Sequence, residues 1–148
     1  MAYNDYRNNR QNSNYRQPPK TPVAPLHPPL ELPEDYVEAA AQVMQSRNFK
    51  ISTTKIRSFL SIANDIYNIE SKRKDETLTP ESIDKLNMMR VRILYEAGRY
   101  KSDVKPFVEE SKLINYIKSI GTSRQKFINF SRYLEALVAY HRFFNESE

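Results

Sequence analysis

The stretch FINFSRYLEALVAYHRFF, residues 127–144, decides the fold. Its apolar side chains recur every three or four positions, the period of an α-helix. Phe127, Phe130, Leu134, Leu137, Val138, His141 and Phe144 fall on one face, with Tyr133 and Tyr140 flanking it. So wide an apolar arc belongs to a helix packed by several neighbours. No glycine or proline interrupts it. Thr122 and Gln125 fit a capping box, so the helix is predicted over residues 123–144.

The same period continues upstream. A helix is predicted over 102–120, where Pro106 is tolerable only in the first turn and Gly121 ends the run. Before it, Thr79 is placed as an N-cap, Pro80 as the first helical residue, Leu78 as a staple to Ile83, and Gly98 as the terminating glycine. A further helix is predicted over 53–74, capped by Ser52 and stapled by Ile51 and Ile56. Its apolar face is Ile56, Phe59, Leu60, Ala63, Ile66 and Tyr67, and Lys72 to Glu76 form a charged exit. The first helix is predicted over 34–47, with Tyr36, Val37, Ala40, Val43 and Met44 facing inward. The reading is all-α: a single five-helix bundle over residues 34–148.

Residues 1–33 differ. Seven of the nine prolines lie between Pro18 and Pro33, after a stretch rich in Asn, Tyr, Arg and Gln. Such a composition cannot bury a core, so a disordered tail with some polyproline II is expected. Tyr3, Tyr6, Tyr15, Arg7, Arg10 and Arg16 are of the types that stack on and neutralise single-stranded nucleic acid. A merely solvated extension is the favoured reading. Its start has no apolar core of a signal peptide, and no apolar run nears the ~18 residues of a membrane span. A cytoplasmic location and no membrane partner are expected.

With no cysteine there is neither a disulfide framework nor a thiolate metal site, and no metal or cofactor is expected. Of the two histidines, His27 lies in the Pro-rich segment and His141 in the apolar stripe, where a structural role with one hydrogen bond is expected. No HExxH, glycine-rich phosphate loop, GxSxG or paired-aspartate motif is present. Glu109–Glu110 and Asp75–Glu76 are sequence neighbours, which diverge by about 100° on a helix. No catalytic residue is assigned, and the chain is read as a binding protein.

The net charge of +5 is modest, so an anion-binding surface must be a local patch. Lys50, Lys55 and Arg57 bracket the start of the second helix. Arg99 and Lys101 follow the third, and Arg124 and Lys126 open the last. Several sit at helix starts, where free N–H groups also favour phosphate. These are candidates for nucleic-acid binding, with a solvated surface the competing reading. Arg90 falls inside the arc of Ile83, Leu86, Ile93, Leu94 and Ala97, while Arg92 points away. A charge in such a stripe must be paired, and Glu70 lies in the matching arc of the second helix, so a structural salt bridge is expected at Arg90.

Two segments, LNMMRVRILYEAGR (86–99) and FINFSRYLEALVAYHRFF (127–144), together with Thr54-Lys55-Ile56-Arg57, resemble the small subunit of type III-A CRISPR effector complexes, the Csm complexes. The similarity runs from residue 34 to 148 and leaves 1–33 uncovered. It implies a helical bundle without an active site, self-associating as an inner filament beside the backbone and large subunits. It implies contact with the target RNA paired to the CRISPR RNA guide, in antiviral defence, through basic surfaces that include Lys55 and Arg57 and then Arg92, Arg99 and Arg124. The alternatives are a helix-turn-helix-like DNA-binding protein, which the apolar last helix disfavours, and a pure protein-interaction scaffold.

Overall fold

A computed structural model describes residues 26–145. It comprises six helices: α1 (Tyr36–Ser46), α2 (Thr53–Glu70), α3 (Pro80–Arg99), α4 (Val104–Ser111), α5 (Leu113–Ile120) and α6 (Arg124–Phe144). Among the described residues there is no strand, only an isolated antiparallel bridge between Thr77 and Ser123. The Asn, Tyr and Arg residues of the tail up to Arg16 lie outside the described residues.

The helix α6 is the hub, packing against α1, α2 and α5. It buries Phe127, Phe130, Tyr133, Leu134 and Leu137. Opposite these, α2 contributes Ile56, Phe59, Ala63 and Ile66, and α3 contributes Leu86, Met89, Ile93 and Ala97. Both sets follow the three-and-four spacing of one helical face. The arcs are narrower than expected at three places: Val37 of α1 is 49 % exposed, Leu94 of α3 39 % and Phe144 of α6 40 %.

The bundle has six helices because the fourth expected helix breaks. Lys112 adopts a left-handed conformation (φ 57°, ψ 33°) and separates α4 from α5. The Tyr133 hydroxyl, buried in the core, donates to the Ser111 carbonyl at 2.8 Å. Ser111 turns its own hydroxyl back to the Phe107 carbonyl at 2.7 Å. The break re-aims the chain, so that Phe107 and Val108 on one side and Leu113, Ile114 and Ile117 on the other all reach the core.

The caps at Ser52 and Thr79 form as expected, accepting from the amides of Lys55 and Ser82. Three other boundaries differ. The cap of α6 is Ser123, accepting from the Lys126 amide, not Thr122, whose carbonyl is taken by the Leu78 amide. Gly98 lies inside α3, which runs on to Arg99 and ends at Tyr100. And α2 stops at Glu70, four residues early. There the fully buried Glu70 carboxylate accepts from Thr79 Oγ1 (3.0 Å), Ser82 Oγ (2.6 Å) and the Arg73 guanidinium (2.6 Å). The carboxylate thus ties the end of α2 to the start of α3.

Residues 26–33 run beside α5. The Leu30 amide donates to the Asn115 carbonyl, Asn115 Nδ2 to the Pro28 carbonyl, and Lys118 Nζ to the Leu26 carbonyl.

Candidate nucleic-acid interface

Antiparallel packing of α2 and α3 puts the first turn of α2 beside the last turn of α3. Tyr100, just past α3, is held by its amide bonding to Glu96 and by its carbonyl accepting from Val104 and Lys105. Lys55 Nζ lies 3.2 Å from the centroid of its ring, and the Arg99 guanidinium 5.2 Å from it. An aromatic face attracts a cation through its quadrupole, so the ring fixes both side chains. Neither cation is in an ion pair among the described residues.

The loop before α2 adds to this corner. A shallow hollow is lined by Arg47, Asn48, Lys50, Ser102 and Pro106, and exposed Lys101 adjoins it. Arg47 carries no signal of its own in the sequence. Its guanidinium lies over Phe49, which the sequence pattern does not place in the core but which packs edge-on to Phe107. Arg47 also faces Glu110 at 3.7 Å. The first turn of α2 contains no acid, so its free amides add positive potential here.

The other candidates lie elsewhere. Arg57 is exposed, but two residues turn a helix by about 200°, so it points away from Lys55. Arg92 is exposed and bonded to Glu96 at 3.5 Å. Arg124 and Lys126 sit at the far end of α2, which at 18 residues and about 1.5 Å per residue is some 27 Å long. Arg124 Nε donates to the Glu70 carbonyl at 2.7 Å and closes the end of α2. Lys126 pairs with Glu31 at 3.0 Å. The structure therefore gathers Lys50, Lys55, Arg99 and Lys101 and separates them from Arg57, Arg92, Arg124 and Lys126.

The expected pairing of Arg90 with Glu70 is not what is seen. Glu70 bonds to Arg73, three residues on, and Arg90 is half-buried with no ion pair among the described residues. His141 is 3 % exposed, and its Nε2 donates to the Ile51 carbonyl at 2.9 Å. Among the described residues no group of three or more His, Cys, Asp or Glu could hold a metal. No helix there is long and apolar enough to cross a membrane.

A small all-α bundle wrapped on its C-terminal helix, with cations gathered at one corner, defines a class of compact helical subunit. The family model described as Csm2 Type III-A matches residues 31–147. The chain belongs to this family, the small subunit of the type III-A Csm effector complex. It is 31 % identical over 119 residues to the CRISPR system Cms protein Csm2 of Mycobacterium tuberculosis, covering 78 % of this chain and 95 % of that one. It is 32 % identical over 117 residues to the protein of the same name from Streptococcus thermophilus, covering 75 % and 92 %.

Proposed function

We propose that this subunit is non-catalytic and holds the duplex of guide RNA and target RNA by its phosphates, with several copies stacked as a filament beside the backbone and large subunits. The observation that carries the reading is Tyr100 with Lys55 and Arg99 set against it, both free of carboxylates among the described residues. In an RNA-guided complex base pairing supplies the sequence information, so a subunit lining the duplex needs only to touch backbone and sense shape. Lys and Arg on a rigid corner suit that task. Lys50 and Lys101 extend the same surface, while Arg57, Arg92, Arg124 and Lys126 would serve other faces. Each copy offers few points of attachment, and stacking sums them. The role belongs to antiviral defence in the cytoplasm. A helix-turn-helix reading would need an exposed recognition helix, whereas α6 is buried among three neighbours.

The test is target-RNA affinity against salt in the assembled complex, for wild type and Lys55→Ala with Arg99→Ala, on guides of unrelated sequence. Affinity should fall by a similar factor on every guide. The salt slope should shrink by about 0.7–0.9 for each phosphate that the variant no longer neutralises. An unchanged slope would favour a scaffold that does not touch RNA, and a weakening confined to one guide would mean that the side chains read bases; either result would overturn the reading.

A further inference from the structure

A second surface, on another face of the bundle, has different chemistry. A groove of about 470 Å³ between α2 and α6 is lined by Asn64, Tyr67, Asn68, Ser131, Arg132 and Glu135. The Arg132 guanidinium of α6 stands beside the phenols of Tyr36 on α1 and Tyr67 on α2. A phenol can both donate and accept. Asn64 and Asn68 stand one turn apart on α2, exposed, their side-chain amides in no hydrogen bond among the described residues. Each amide both donates and accepts. Arg132 is exposed and in no ion pair among the described residues.

The balance of charge distinguishes this groove from the Tyr100 corner. Its lining holds one cation and one carboxylate, Arg132 and Glu135. A neutral groove is poor at drawing in phosphates by charge alone. It is rich in amides and hydroxyls, the groups that pair with a sugar hydroxyl. The wide, shallow minor groove of A-form RNA displays its 2′-hydroxyls to just such partners.

We propose that the α2–α6 groove holds the ribose edge of the target RNA strand, with Asn64, Asn68 and Glu135 bonding 2′-hydroxyls and Arg132, beside Tyr36 and Tyr67, taking the adjoining phosphate. The inference rests on the RNA-binding reading above. It adds an interaction that tells RNA from DNA, which the phosphate-binding corner cannot do. Asn64 and Asn68 are the residues to change, because both are exposed on α2 and their loss leaves the core untouched.

The experiment measures Asn64→Ala with Asn68→Ala in the assembled complex, against an all-RNA target and the same target with 2′-deoxy sugars, across salt concentrations. Removing two ordinary hydrogen bonds should weaken RNA-target binding about tenfold. The salt slope should stay as in wild type, and the deoxy target should weaken little. Unchanged RNA affinity, while the Lys55 and Arg99 variant still weakens binding, would overturn this inference and leave the corner standing. An equal weakening on both targets would overturn it too. So would dissociation of the variant from the complex at unchanged RNA affinity, which would make the groove a protein interface. If neither variant weakens RNA binding, the RNA-binding reading itself fails.

Discussion

At the scale of single residues, Glu70 shows how a buried charge is tolerated. Burial pushes its carboxyl up, but the hydrogen bonds from Ser82, Arg73 and Thr79 outweigh this and leave it below its usual value. An unpaired charge in that position would be expelled or neutralised. Glu70→Ala should therefore cost about 3–5 kcal/mol in urea denaturation, because it orphans several donors at once. The pH dependence has a definite sign. With the folded value below the unfolded one of about 4.3, the unfolded chain binds more protons as the medium is acidified. The contribution of Glu70 is full above the unfolded value and is lost as pH falls through the folded one. Wild type should lose more stability below about pH 5 than Glu70→Gln, which has nothing to titrate there. Equal acid sensitivity of the two proteins would show that other carboxylates dominate.

At the scale of elements, the break between α4 and α5 is the feature most exposed to mutation. A lysine in the left-handed region costs about 1–2 kcal/mol relative to ordinary helix. Glycine has no such penalty but loses about 0.5–1 kcal/mol of chain entropy. Lys112→Gly should thus stabilise the protein by up to about 1 kcal/mol, whereas Lys112→Val should destabilise it. Tyr133→Phe, which orphans the buried Ser111 carbonyl, should cost about 1–3 kcal/mol. Thermal midpoints of the three variants check all of this. A stabilising Lys112→Val would mean that the helix prefers to run straight. The same break shows where sequence reading stops. Caps at Ser52 and Thr79 are legible because the signal and the helix it starts lie within one turn of each other. The break is not, because its partner Tyr133 lies 22 residues downstream. The early stop of α2 depends on Glu70 reaching across to Thr79 and Ser82, and Gly98 is carried through α3 by packing on either side of it. Of the candidate surface, the individual cations can be named. That Lys55 and Arg99 meet at Tyr100, or that Arg132 stands beside Tyr36 and Tyr67, depends on tertiary proximity that no local pattern encodes.

At the scale of the whole molecule, the segment before α1 helps to close the bundle. Residues 26–33 lie along α5, and Leu32 packs against the core. A protein beginning at Glu34 should melt several degrees below one beginning at Leu26. The shorter chain strips the buried Asn115 amide of its partner, at about 1–3 kcal/mol, and that is several degrees for a domain of this size. Identical midpoints would show that the strap is ornamental to stability. The separation of basic groups also has meaning at this scale. With the Tyr100 corner at one end of α2 and Arg124 and Lys126 at the other, a strand touching both would have to travel the length of the bundle. Arg124 and Lys126 are moreover already bonded to Glu70 and Glu31.

The position of α6 has a consequence for biosynthesis. The hub helix follows the five other described helices, and its His141 meets Ile51, 90 residues earlier. While a ribosome adds about 5–20 residues per second, α1, α2 and α5 emerge before the helix they pack against has been made. The earlier helices can pack on one another through α3, but the core they share with α6 stays open until residues beyond Leu137 clear the exit tunnel. The loop that must then close is long, though its entropy grows only with the logarithm of length. The nascent subunit therefore completes its core only after translation of α6, and chains released early, short of Phe127, are left with apolar faces of α1, α2 and α5 uncovered for the cell to capture or destroy.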